Sequence, residues 1–136
     1  MKKHDNFSNC LSVLRSADFE LANENDIYRT GIIGQFNLTF ELAWKDLQAV
    51  LRMHGVKDAE TGSPREILQL GFKLGFVEDP SVWLSMLKAR NTSVHIYDES
   101  EINELILMIR DSFIPAFGRL EKTLQTKIEE TEEEWG

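Results

Sequence analysis

Cysteine, long apolar runs and targeting signals are scarce or absent in this sequence, and each absence excludes a class of protein. Cys10 is the only cysteine among 136 residues, which excludes an internal disulfide and a cysteine-based zinc site. No stretch of about 18 consecutive apolar residues is present, so we expect no membrane-spanning helix. The polar residues 1–6 lead into no apolar segment of the signal-peptide type. We therefore expect a cytoplasmic protein that does not associate with membranes.

Positive charge is the other shortage. The chain carries 15 lysines and arginines against 23 aspartates and glutamates, which gives a formal net charge of −8. This balance is unusual for a nucleic-acid-binding protein, but five of the glutamates lie in residues 129–134, and the rest of the chain permits a local basic site. We expect residues 1–128 to form a single domain and residues 129–136 a disordered acidic tail, because a run of like charges repels itself.

Period-two alternation, the mark of β-strands, is missing, whereas apolar residues recur at helical spacing along most of the chain. The pattern predicts five helices, over about residues 7–21, 33–54 and 64–74, from residue 80, and over 102–124. Short connections favour antiparallel neighbours. The predicted fold class is therefore all-α, an up-down antiparallel bundle of about five helices.

Local signals mark some helix ends. Ser63, Pro64 and Glu66 stand in the order of a capped helix start, with proline at the first helical position. Asp98 precedes the last predicted helix as a candidate cap. Pro115 lies inside that helix and is expected to kink it or end it early.

Residues 88–99 gather reactive side chains where the apolar rhythm stops, between the fourth and fifth predicted helices. Arg90 offers a planar fork suited to a phosphate, Asn91 an amide that can orient a ligand, and His95 a ring that exchanges protons near neutral pH. These groups suit phosphate-ester cleavage without a metal, because the 2′-hydroxyl of RNA is its own nucleophile. We take Arg90, Asn91 and His95 as candidate catalytic residues and expect no metal or other cofactor.

The spacing of Arg90 and His95 limits how they can meet. A helix turns by about 100° per residue, so five residues leave the two side chains well apart. They converge within one chain only if the helix breaks between them, or else they meet across the two-fold axis of a dimer. One imidazole cannot easily serve both sides of an in-line displacement, whereas two copies of His95 around such an axis can.

The order Arg90, four residues, His95, one residue, Tyr97 resembles the Arg-x4-His-x-Tyr signature of HEPN-family toxins. Further blocks are similar to the nucleotidyltransferase substrate-binding protein family, a branch of the HEPN superfamily. They are Phe-Glu-Leu-Ala-Trp-Lys at residues 40–45, Ser-Pro-Arg at residues 63–65, and Trp83 with Met86 ahead of the motif. The similarity extends in order over about residues 7–124.

That resemblance implies a bundle with a four-helix core, a homodimer and a complex with a minimal nucleotidyltransferase. In the toxin version of the family, Arg90 and His95 would be catalytic in a metal-independent endoribonuclease and Asn91 would assist. Transfer of AMP to Tyr97 by the partner would silence it. In the other version, the chain would be a non-catalytic subunit that binds a nucleotide or substrate for the nucleotidyltransferase. The motif fits both versions, so RNA and nucleotide both stay open as ligands.

Plainer roles also stay open. Arg90 could form a surface ion pair with Asp98 or Glu99. Glu41, beside the apolar stripe of the second predicted helix, could be a solvated flank or a partner that supports Arg90. Spacing alone does not bring together the basic residues Arg65, Lys73 and Lys88. The histidines outside the motif belong to no pattern and are expected to lie in solvent, namely His4 and His54.

Overall fold

The computed structural model of the protein describes residues 1–93 and 98–135, with side chains described to residue 133. Its α-helices in chain order are α1 (Lys2–Arg15), α2 (Phe19–Ala22), α3 (Asp26–Met53), α4 (Pro64–Lys73), α5 (Pro80–Thr92), α6 (Glu99–Met108) and α7 (Ile114–Trp135). A 3-10 turn, Lys57–Ala59, follows α3, and a π-helical turn, Ile109–Phe113, joins α6 to α7. The described ranges contain no β-strand, and the all-α prediction is confirmed.

Side-chain contacts fix the directions of the long helices. These contacts are His4 with Asp46 and Cys10 with Thr39 between α1 and α3, Arg29 with Asn103 and His54 with Lys127 between α3 and the joined α6–α7, and Asp79 with Arg119 and Trp83 with Phe117 between α5 and α7. Along α1 the residue numbers rise while those of the contacted residues on α3 fall, so these two helices are antiparallel. Along α3 and α6–α7 the numbers rise together, so these helices are parallel. Thus α1 and α5 run opposite to α3 and α7, which gives an up-down-up-down core with α4 packed against α3 and α5.

Aromatic rings from different helices meet at the centre of the bundle. Phe36 of α3 stacks on Phe113 with ring centroids 5.2 Å apart. Phe117 of α7 receives Trp83 of α5 edge-on at 5.5 Å and Phe7 of α1 edge-on at 6.2 Å. All five side chains are almost fully buried. Such pairs contribute about 0.5–1.5 kcal/mol each beyond their buried area, so this cluster ties α1, α3, α5 and α7 together.

Two predicted helix starts are confirmed in detail. The Ser63 hydroxyl accepts a hydrogen bond from the Glu66 N–H, the Glu66 carboxylate accepts one from the Ser63 N–H, and Pro64 is the first residue of α4. The Asp98 carboxylate accepts from the Ser100 N–H at the start of α6. These bonds satisfy backbone N–H groups that have no partner inside the helix.

Pro115 neither ends its helix nor interrupts it as a simple kink. The helix passes from α6 through the π-helical turn Ile109–Phe113 into α7. Proline has no N–H for the carbonyl of Asp111, four residues earlier, and its ring crowds that carbonyl. The wider turn ends at Phe113, two residues before Pro115, and includes Asp111, whose carbonyl lacks the regular hydrogen bond.

Other boundaries differ from the sequence expectation. The first predicted helix divides into α1 and α2, because the Asp18 carboxylate accepts from the N–H groups of Glu20 and Leu21 and starts a new helix. The second begins at Asp26, where the Asn25 side chain caps the Tyr28 N–H.

The acidic segment expected to be a disordered tail continues α7 to Trp135. Gln125 donates to Glu129 at 2.9 Å, and Lys127 lies 3.6 Å from Glu130. Pairs three and four residues apart support a helix. Among the described helices, none combines the length and apolar character needed to cross a bilayer.

Candidate functional site

Arg90 lies in the last turn of α5 and faces the middle of α3. Its Nη1 is 2.9 Å from Oε1 of Glu41, and the two side chains are 31% and 32% exposed. The Arg90 guanidinium carbon is 5.7 Å from the centre of the Phe40 ring, within the range of a cation–π contact. One carboxylate and one ring therefore hold a guanidinium that stays partly open to solvent.

Glu41 is itself held by α3. Its Oε2 accepts a hydrogen bond from the Trp44 indole N–H at 3.2 Å and lies 4.0 Å from the Lys45 ammonium. The contact with Arg90 is an ion pair without hydrogen-bond alignment, since Glu41 Oε1 and Arg90 Nε are buried and lack aligned partners among the described residues. Of the roles left open for Glu41, the structure shows the contact with Arg90. Of the two acidic residues considered as surface partners of Arg90, Asp98 caps α6 and Glu99 lies 3.5 Å from Arg29.

Asn91 is exposed and lies on a different face of α5 from Arg90. Consecutive helical residues point about 100° apart, and Asn91 lines a groove between α4 and α5 together with Arg65 and Lys88. The structure therefore does not gather Asn91 with the Arg90–Glu41 pair. It does bring together Arg65 and Lys88, which sequence spacing could not.

His95 and Tyr97 lie outside the described residues, so their placement relative to Arg90 stays a prediction. On the chain before them, the Ser93 hydroxyl accepts a hydrogen bond from the Asn37 amide at 3.0 Å and donates to the Arg90 carbonyl at 3.2 Å. This contact holds the end of α5 against α3.

Arg29 of α3 was not anticipated from the sequence. It is only 8% exposed, donates to Asn103 at 2.6 Å and to Asp26, and lies 3.5 Å from Glu99. Buried arginines need such partners, and these contacts fix the start of α6 against α3. The sequence does carry a sign that Arg29 is buried, because Arg29 lies four residues before Ile33 and so on the same apolar face of α3.

The expectation of a solvated side chain is wrong for His4, whereas His54 is exposed as expected. His4 is 5% exposed and Asp46 is 0% exposed, with 2.8 Å between His4 Nδ1 and Asp46 Oδ2. Helix α1 starts earlier than the pattern indicated, which puts His4 one turn before Phe7 on the buried face. His54 Nε2 lies 2.8 Å from the Lys127 carbonyl oxygen and so contacts α7.

Burial raises the pKa of Asp46 above its ordinary value of 3.8, and the hydrogen bond and charge of His4 act in the opposite direction. Asp46 Oδ1 is buried without a hydrogen-bond partner in the described part of the chain. The pair lies between α1 and α3, and in the parts described no group of three or more His, Cys, Asp and Glu is arranged to hold a metal ion. The buried contact between His4 and Asp46 joins α1 to α3, which is a structural role.

The chain is similar to known proteins over nearly its whole length. A family model described as nucleotidyltransferase substrate binding protein like matches residues 2–126. A protein from Thermus thermophilus with a solved crystal structure is 27% identical, and the match covers 89% of this chain and 97% of that one, with a TM-score of 0.69. The search of curated proteins gave no match.

Proposed function

Because the chain belongs to the nucleotidyltransferase substrate binding protein like family, we propose that it works beside a nucleotidyltransferase as a HEPN-type toxin. In this proposal the chain is a metal-independent endoribonuclease that acts as a homodimer, and AMP transfer to Tyr97 silences it. The observation that carries the proposal is Arg90, partly exposed at the end of α5 on Glu41 and Phe40, with His95 and Tyr97 following at the spacing of the signature.

The cleavage step needs two proton transfers and one positive group that stabilises the charge developing on the phosphate. One His95 takes the proton from the 2′-hydroxyl of RNA, and the 2′-oxygen bonds to phosphorus. The bond from phosphorus to the 5′-oxygen breaks, and a protonated His95 from the second copy gives its proton to that oxygen. Arg90 stabilises the charge that develops on the phosphoryl oxygens. A site shared across the dimer axis would supply both imidazoles.

Glu41 fits this scheme as the group that occupies Arg90 until a phosphate arrives. A planar guanidinium binds either a carboxylate or a phosphate through the same donors. Since Trp44 and Lys45 hold the other oxygen of Glu41, the carboxylate can stay in place when Arg90 turns to the substrate. Glu41 is then a positioning residue, and Asn91 contributes from the neighbouring face.

In this proposal the AMP group silences the enzyme through its negative charge and its size. The Tyr97 oxygen bonds to the α-phosphorus of ATP held by the partner, the bond to the β-phosphate breaks, and pyrophosphate leaves while the phenolic proton passes to solvent. The AMP group adds a negative charge two residues from His95, which competes with an RNA phosphate for Arg90.

A second candidate is a non-catalytic subunit that binds a nucleotide for the nucleotidyltransferase. The observation that favours it is the pairing of Arg90 with Glu41, which offsets the charge of Arg90, together with a net charge of −8 that disfavours long nucleic acids. In this candidate, Arg90 receives the phosphate of a mononucleotide and His95 does no chemistry.

RNA cleavage in EDTA tests the enzyme. We expect wild type to cut and both Arg90→Ala and His95→Ala to lose at least about 100-fold in rate, the usual range for a positioned acid–base group. Arg110→Ala is the matched control, because Arg110 is an exposed arginine paired with Asp111. Equal cutting by all variants, or none by wild type, would refute the enzyme, and calorimetry with AMP and ATP would then test the binding subunit.

A further inference from the structure

The groove between α4 and α5 has the side chains of an anion site. It is an open groove of about 500 Å³ whose polar lining consists of Arg65 of α4 and Ser85, Lys88, Asn91 and Thr92 of α5. No carboxylate is among the described residues that line it. The whole chain has a net charge of −8, whereas the described lining of this groove is positively charged.

Within the part of the chain that the structure describes, the cationic side chains of the groove have no acidic partner. Arg65 and Lys88 are exposed and take part in none of the ion pairs within the described ranges. The hydroxyls of Ser85 and Thr92 donate to carbonyls of their own helix, at 3.0 and 2.9 Å. Among the contacts of the described residues, three side chains therefore remain to donate outward, those of Arg65, Lys88 and Asn91.

The position of the groove indicates its ligand. Asn91 follows Arg90 directly, so the groove and the Arg90–Glu41 pair lie on two adjoining faces of the same last turn of α5. A ligand with one phosphate can occupy one of these faces. A chain of phosphates that passes around the end of α5 can meet both.

We propose that the groove formed by Arg65, Lys88 and Asn91 binds the backbone phosphates of single-stranded RNA that flank the phosphate at Arg90. This inference rests on the proposed function, because it names the substrate path of that site. It accounts for an acidic protein that handles RNA, since a few contacts near the cut suffice to hold the strand.

The test measures binding separately from cleavage. A fluorescent single-stranded RNA with 2′-O-methyl groups cannot be cut, and its anisotropy gives the affinity of the full-length protein. The double variant Arg65→Ala/Lys88→Ala is expected to bind at least about tenfold more weakly, and the slope of log affinity against log salt is expected to fall by about 1.4, or 0.7 for each lost phosphate contact. Lys57→Ala/Lys73→Ala removes the same charge from exposed positions outside the groove and is expected to change neither.

Three results would overturn the inference. They are equal losses in the groove and control variants, unchanged RNA binding by the groove variant, and RNA binding that stays intact while binding of AMP or of the nucleotidyltransferase is lost. The outcomes also separate the two proposals. If binding depends on the groove but wild type does not cut natural RNA, the groove stands and the enzyme falls. If wild type cuts natural RNA and the groove variant cuts it at the same rate, the enzyme stands and the groove falls.

Discussion

Glu41 sets how much positive charge Arg90 presents to a ligand. Both side chains are about one-third exposed, so their ion pair contributes less than about 1 kcal/mol to stability. In the proposed function its larger effect is on binding, because a phosphate would compete with the carboxylate for one guanidinium.

Glu41→Gln is expected to tighten the binding of non-cleavable RNA several-fold, since glutamine keeps an acceptor near Trp44 but not the charge that offsets Arg90. Anisotropy at fixed salt measures the change. Glu121→Gln removes a carboxylate from a comparable pair, with Arg15 at 3.4 Å, and should leave affinity near that of wild type. Weaker or unchanged binding by Glu41→Gln would show that Arg90 does not engage the phosphate.

The buried Asp46 gives stability a pH dependence with a definite sign. Its folded pKa is raised above 3.8, so the folded protein holds this proton more tightly than the unfolded chain. The stability from this group is present below pH 3.8 and is lost as the pH rises through the folded pKa.

Asp46→Asn is expected to remove that loss, since the amide oxygen can still accept from His4. Urea unfolding from below pH 3.8 to neutrality should show that the difference between variant and wild type shifts in favour of the variant as pH rises. Asp58→Asn, at an exposed position, controls for the loss of one charge. Parallel curves for wild type and Asp46→Asn would contradict the assignment.

At the scale of the elements, the stability of the short helix α4 depends on the cap at its first turn. It has 10 residues, which is too short for a helix to be stable by itself in water, and it forms one wall of the groove. Its capping box is therefore a stability feature that also shapes a candidate binding surface.

Ser63→Ala is expected to lower the free energy of unfolding by about 0.5–2 kcal/mol, the range for loss of a helix cap. Chemical denaturation measures it. Ser12→Ala, at an exposed position inside α1, should be neutral or slightly stabilising because alanine is the better helix former. If both variants behave alike, the cap does not stabilise α4.

At the scale of the whole molecule, the sequence predicted the helical class and the starts of α4, α5 and α6, since periodicity and caps are local properties. It could not place Arg65 beside Lys88 or His4 beside Asp46, because these contacts depend on which helices become neighbours. Arg90 and Asn91 show the same limit. They are adjacent in the motif, yet the turn of one helix sends them to different surfaces.

The four core helices each contribute a ring to one aromatic cluster, through Phe7, Phe36, Trp83 and Phe117. Removal of any one helix would expose rings belonging to the other three, so no pair of helices is a self-sufficient unit. The bundle should therefore unfold cooperatively, in a single all-or-none transition. The Arg90–Glu41 pair and the groove between α4 and α5 then exist only in the folded bundle, and both proposed ligand surfaces are lost together when it unfolds.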